Sequence, residues 1–177
     1  MRILFTSTPQ PAHLDWGGFL LTAQLLADRG HETRWVSGDN IASIINSAGI
    51  PFAPVRHTGW RDVTTLPPIE PSLDAMEMRG ARQRRSFDAW LDVEEVTLAA
   101  EALERVVRDF EPDCIVAEMF SIGAAYVAER AGVTLVVAGW PAIDNPRSEE
   151  LLLQELMARL QELNRRLGCS GRNLSAT

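Results

Sequence analysis

Two proton-accepting groups, His13 and Asp15, stand in the short segment TPQPAHLDWGG (8–18), between the apolar run RILFTS (2–7) and the helical run FLLTAQLLADRG (19–30). An imidazole is poised to exchange a proton near neutral pH. A third titratable group, Glu118, closes the run PDCIVAE (112–118). If His13 is a general base, a facing carboxylate such as Glu118 orients the ring and stabilises its protonated form. If Asp15 is the base, it acts alone on an acceptor hydroxyl.

Other chemistries fit the residues less well. Dinucleotide-binding domains need G-x-G-x-x-G after the first strand so that the backbone can approach the pyrophosphate. Segment 8–18 is longer, carries prolines and an acid, and lacks that fingerprint. Asp39 resembles the ribose-binding acid of such domains and reads instead as a helix cap. All 17 basic residues are arginines, so lysine-based catalysis and the phosphate-binding loop with its lysine are excluded within these residues. His13, His31 and His57 lie far apart with no Cys/His or H-E-x-x-H spacing, so no metal site is expected. His31 follows the glycine that closes a helix and reads as a surface residue. The net charge of −7 argues against a nucleic-acid partner. No apolar run is long enough to span a membrane, and the N-terminal residues lack the pattern of a secretory leader. The two cysteines, Cys114 and Cys169, imply no disulfide framework, and a cytoplasmic location is expected.

The elements that must position these residues follow from periodicity. Strands are predicted over 2–7, 32–37, 50–55, 112–118 and 134–139, the third at a sheet edge because of its prolines. Helices are predicted over 19–30, over IASIINSAG capped by Asp39 or Asn40, twice within 72–110, over 121–132 and over 146–168. Residues 56–71, RHTGWRDVTTLPPIEP, read as a long surface loop. RGARQRR (79–85) reads as a solvated helix face, and CSGRNLSAT (169–177) as a frayed tail or the start of a linker. Alternating strands and helices specify an α/β, Rossmann-like parallel sheet with helices on both faces. Right-handed crossovers favour the order 3-2-1-4-5. Ligands of such sheets sit beyond the carboxyl ends of the strands at the switch point. The loop carrying His13 and Asp15 therefore faces the one carrying Glu118, Met119 and Phe120.

The ordered set RILFTSTPQPAHLDWGGFLLTAQLLADRGHETRWVS, GIPFAPV, EPDCIVAEMFSIGAAYVAERAGVTLVV and PRSEELLLQELMARLQELNRRLG resembles the N-terminal half of the two-domain inverting GT-B glycosyltransferases that modify natural products. The resemblance covers essentially every residue. It implies a Rossmann-like acceptor-binding domain over 1–145, with 146–168 as its C-terminal helix and 169–177 as tail or linker. It implies transfer of a sugar from a nucleoside diphosphate sugar to a hydroxyl of a small hydrophobic acceptor, with inversion, and with no cofactor or obligatory metal. The co-substrate would be bound mainly by a C-terminal donor-binding domain or separate subunit, without which these residues would be inactive.

The resemblance also implies roles for particular residues. Counted forward from the first strand, His13 falls on the family's catalytic histidine. Counted back from Arg29-Gly30-His31, Asp15 falls there, and helix register favours Asp15 slightly with His13 kept beside it. Glu118 matches the partner carboxylate, more usually an aspartate, and its extra methylene lengthens its reach. Trp16, Gly17, Met119 and Phe120 flank these groups as acceptor contacts. Trp60, Met76, Met78, Phe87, Trp90 and Trp140 come from the irregular region 56–93 and the turn after the fifth strand, and aromatic and methionine side chains suit a flat apolar aglycone. The alternative is a non-catalytic small-molecule binding or interaction module on the same half-fold.

Overall fold

The computed structural model describes residues 1–15, 18–139 and 150–174. Five short runs, β1 (Arg2–Thr6), β2 (Glu32–Ser37), β3 (Phe52–Pro54), β4 (Cys114–Glu118) and β5 (Thr134–Ala138), join in one sheet. Every pairing is parallel and the order is β3-β2-β1-β4-β5. Parallel neighbours need crossover connections, supplied here by α1 (Phe19–Asp28), α2 (Ala42–Ser47), α3 (Ala75–Trp90), α4 (Val93–Phe110) and α5 (Gly123–Ala131). A final helix, α6, runs Glu150–Leu167. The expected sheet order is the one observed.

Because side chains alternate across a strand, neighbouring residues feed two different cores. Ile3 and Phe5 of β1, with Trp35 of β2, pack against Phe19, Ala23 and Ile45 from α1 and α2. Leu4, Val36, Ile115 and Ala117 point the other way, onto α4, α5 and α6. The two halves of the chain thus cover opposite faces. The α4–α5 contact is close at a glycine: a Cβ on Gly123 would lie 3.1 Å from the backbone nitrogen of Ala100, tighter than ordinary van der Waals contact.

Several boundaries differ from the sequence reading, each for a local reason. The third strand is only three residues long, flanked by Pro51 and closed by Pro54, which remove ladder donors. Neither Asp39 nor Asn40 caps the helix after β2; a 3-10 turn over Asp39–Ile41 precedes α2, and Asn40 Nδ2 instead donates to Pro9 O at 2.6 Å. The region 72–110 does divide into two helices, because Asp74 forms a capping box with Glu77 and Asp92 caps the next start by accepting from Glu95 N. Within the arginine run, Arg85 is not solvated like its neighbours: it donates to the carbonyls of Val63, Leu66 and Pro67 and clasps the loop. Residues 169–174 are tied back to α5. There Ser170 donates from N and Oγ to Glu129 at 2.6 and 2.8 Å, and Asn173 Nδ2 donates to Ala125 O at 3.0 Å. Pro146, the expected helix start, and the proposed boundary at 145/146 lie outside the described residues.

Candidate active site

The register pairs Thr6 of β1 with Ala117 of β4. The chain leaving β1 therefore passes beside Glu118, the last residue of β4, which is 3% exposed. Pro11 opens a 3-10 turn, Pro11–His13, closed by His13 N→Gln10 O at 3.0 Å and Leu14 N→Pro11 O at 3.2 Å. Leu14, fully buried, plugs the turn into the core beneath α1. Gly18, at φ 73°, then turns the chain into α1 with a left-handed conformation that costs other residues more. Between these fixed points the His13 side chain is directed inward.

His13 Nδ1 lies 2.6 Å from Glu118 Oε1. With the carboxylate ionised, the proton in that contact belongs to the ring, which places the imidazole lone pair on Nε2. Glu118 Oε2 accepts from both N and Oγ1 of Thr8, each at 2.7 Å. Thr8 Oγ1 is also 2.9 Å from His13 Nδ1.

An aromatic wall surrounds the ring. Trp60 meets His13 edge-on at 5.6 Å between centroids, and Phe120 lies at 5.8 Å. Phe120 in turn touches Trp60 and Trp90, each at 5.7 Å, and Trp90 meets Phe87 at 5.8 Å. The Trp60 indole N–H is buried and meets no acceptor among the described residues. Trp60 reaches the wall on the 56–71 loop, which is held down by Arg61 N→Ala89 O at 2.7 Å and by the Arg61–Asp92 ion pair at 3.0 Å. On its other side Trp60 borders an open cleft of about 730 Å³ over the ends of β2 and β3, lined also by Gln10, Asp39, Arg56 and Asp62. This cleft lies beside the His13–Glu118 pair, not around it.

The structure brings together His13, Glu118, Phe120 and Trp90 from the sequence-derived set. Asp15 is exposed, and its backbone carbonyl accepts from Gly18 N at 3.2 Å. Phe87 is half-buried under the Arg159 guanidinium, 5.9 Å from its ring centre, at the junction with α6. Met119 is half-buried, with its N–H donating to Ala138 O at 2.9 Å. Met76 is 74% exposed in the first turn of α3. Trp16, Gly17 and Trp140 lie outside the described residues. Thr8 went unremarked in the sequence; its signal was a hydroxyl residue two positions past the end of the first strand. Among the described residues no cluster of three or more His, Cys, Asp or Glu side chains is placed for a metal, and no helix is long and apolar enough to cross a membrane.

Solved structures share this arrangement of sheet and helices. The glycosyltransferase SsfS6 of Streptomyces sp. SF2575 superposes with a TM-score of 0.64 at 18% identity, over 96% of this chain and 47% of its own. The calicheamicin glycosyltransferase CalG4 superposes at 0.62 with 21% identity, over 94% of this chain and 42% of its own. The chain has the fold of one half of a GT-B glycosyltransferase. The GT-B half-fold is matched in sequence by 4'-demethylrebeccamycin synthase of Lentzea aerocolonigenes, 26% identical over 132 residues. That match takes in 75% of this chain and 30% of the relative, so the chain spans less than half the length of the proteins it matches. No family model matches it.

Proposed function

We propose that this GT-B half binds the acceptor of a glycosyltransferase and supplies its general base, His13. The observation that carries the reading is the 2.6 Å contact between His13 Nδ1 and Glu118 Oε1 at the carboxyl ends of β1 and β4, where ligands of open α/β sheets bind. In this reading a hydroxyl of a small hydrophobic acceptor gives its proton to His13 Nε2. The oxygen's electron pair forms a bond to the anomeric carbon of a nucleoside diphosphate sugar. The bond from that carbon to the diphosphate breaks on the opposite face, so the configuration inverts and the nucleoside diphosphate leaves with the electron pair. The imidazolium that results is balanced by the Glu118 carboxylate. Trp60, Trp90 and Phe120 offer flat apolar faces to the acceptor, and the Trp60 N–H offers it one donor.

Related proteins support the donor side: SsfS6 has been crystallised with thymidine diphosphate. The reading gives the nucleotide sugar to a second, donor-binding half or a separate subunit, and the 177 residues then bind acceptor without transferring sugar. Titration calorimetry tests this with two probes, a flat polycyclic phenol such as a flavonoid and thymidine diphosphate glucose. The expected result is heat from the phenol, abolished by Trp60→Ala, and none from the nucleotide sugar. Binding of the nucleotide sugar with no binding of any phenol would reverse the assignment. Phenol binding by a complete protein that transfers no sugar would favour the non-catalytic module.

A further inference from the structure

We infer that Thr8 is a positioning residue for the His13–Glu118 pair, fixing both the carboxylate rotamer and the imidazole tautomer. The inference rests on His13 being the base, and it names what holds that base ready. Thr8 is fully buried. Three short contacts meet in a triangle: Thr8 Oγ1 to Glu118 Oε2 at 2.7 Å, His13 Nδ1 to Glu118 Oε1 at 2.6 Å, and Thr8 Oγ1 to His13 Nδ1 at 2.9 Å. The triangle has only two hydrogens to share, one on the hydroxyl and one on the ring. An ionised carboxylate has none, so each of the two short contacts to it must contain one, because lone pairs facing each other at 2.6 or 2.7 Å would repel. The hydroxyl therefore donates to Oε2 and Nδ1–H donates to Oε1. The third side is then satisfied without a further proton, because a lone pair of Thr8 Oγ1 faces Nδ1–H. If the hydroxyl donated to Nδ1 instead, both carboxylate contacts would lack a proton.

The Thr8 N–H adds a second bond to Oε2 at 2.7 Å. A glutamate has three rotatable side-chain bonds, and ordering them carries an entropic cost. Two donors from one backbone-anchored residue confine the Glu118 carboxylate before any acceptor arrives. That confinement keeps the proton on Nδ1 and the basic lone pair on Nε2, where an acceptor hydroxyl would meet it. Thr8 touches no reacting atom in this account; it acts through the pair.

The measurement is the tautomer ratio of neutral His13, read from ring ¹⁵N shifts in the full chain above its titration midpoint. Only three histidines need assignment. The wild type is expected to be mainly Nδ1–H. Thr8→Val should lower the ratio of Nδ1–H to Nε2–H roughly 2- to 12-fold, the range set by one hydrogen bond. Thr8→Ser should keep it within about twofold of wild type. The His31 and His57 resonances report whether each variant stays folded. If the valine methyl disturbs the fold, Thr8→Ala carries the same comparison. A wild type that is mainly Nε2–H, an unchanged ratio in the valine and alanine variants, or an equal loss in the serine variant would each overturn the inference. The base reading fails separately: a shifted ratio in Thr8→Val together with full turnover in His13→Ala would retain the positioning contact and remove His13 from catalysis.

Discussion

Among the described residues two histidine–glutamate pairs are joined through Nδ1, and they are not equivalent. His13 and Glu118 meet at 2.6 Å with side chains 11% and 3% exposed, whereas His57 and Glu95 meet at 3.0 Å with 31% and 16% exposed. The first pair joins the turn after β1 to the end of β4, at the sheet's switch point, under an aromatic wall. The second joins the 56–71 loop to the first turn of α4, where a carboxylate is already favoured by the helix dipole. Thr8 makes three bonds into the first pair. A histidine beside a glutamate is therefore not itself a site. Burial, placement over the strand ends and an anchored third residue separate the pair proposed to supply a base from a clip that holds a loop.

The largest expected break in this comparison is Glu118→Ala. It leaves the Thr8 N–H without its acceptor in a buried place and takes the carboxylate from the Thr8 hydroxyl and from His13 Nδ1–H, costing about 1–3 kcal/mol for the stranded N–H. Chemical denaturation should show that loss, and turnover of the complete enzyme should fall by roughly 10²-fold or more as the ring loses its orientation. Next, Phe120→Ala removes the wall's central ring and should weaken acceptor binding by about 0.5–1.5 kcal/mol beyond the area lost, measured by calorimetry. At the second pair, Glu95→Gln should change stability by only about 0–1 kcal/mol and leave turnover within a few-fold.

The smallest effect sharpens the comparison with a third gathered carboxylate, Glu129. Partial burial pushes its carboxyl up, but bonds from Ser170, then Arg172 and Gly171, outweigh this and hold it below the ordinary glutamate value. A group depressed in the folded state contributes stability above its unfolded pKa, and that contribution is lost as pH falls through the folded value. Amide exchange at Ser170 and Arg172 should therefore quicken, relative to residues of β1, as pH drops below the ordinary glutamate range of about 4.3. In Glu129→Gln that additional acid-dependent quickening should vanish.

The sheet was legible because its signals are local and redundant. Val, Ile and Leu runs bounded by glycine, proline and helix-forming segments leave few ways to wind a parallel sheet, and the switch point follows from the order. Glu118 was legible for the same reason, as the acid that ends a buried strand. The choice between His13 and Asp15 was not. Counting in helix register treats the loop as a spacer, yet Pro11 winds it into a 3-10 turn and Leu14 anchors it, so His13 faces in and Asp15 faces solvent. Thr8 was illegible because its importance comes from register between β1 and β4, a contact across 110 residues. Arg85 was hidden in a charge run, since only the folded loop shows which arginine has carbonyls within reach.

The most direct test of the central claim compares His13→Ala with Asp15→Asn in the complete enzyme, by the rate of sugar transfer to the hydroxylated acceptor that calorimetry identifies. Loss of a positioned general base should slow His13→Ala by roughly 10²- to 10⁴-fold, while Asp15→Asn stays within a few-fold of wild type. Full turnover in His13→Ala, or its loss in Asp15→Asn with His13 intact, would contradict the account.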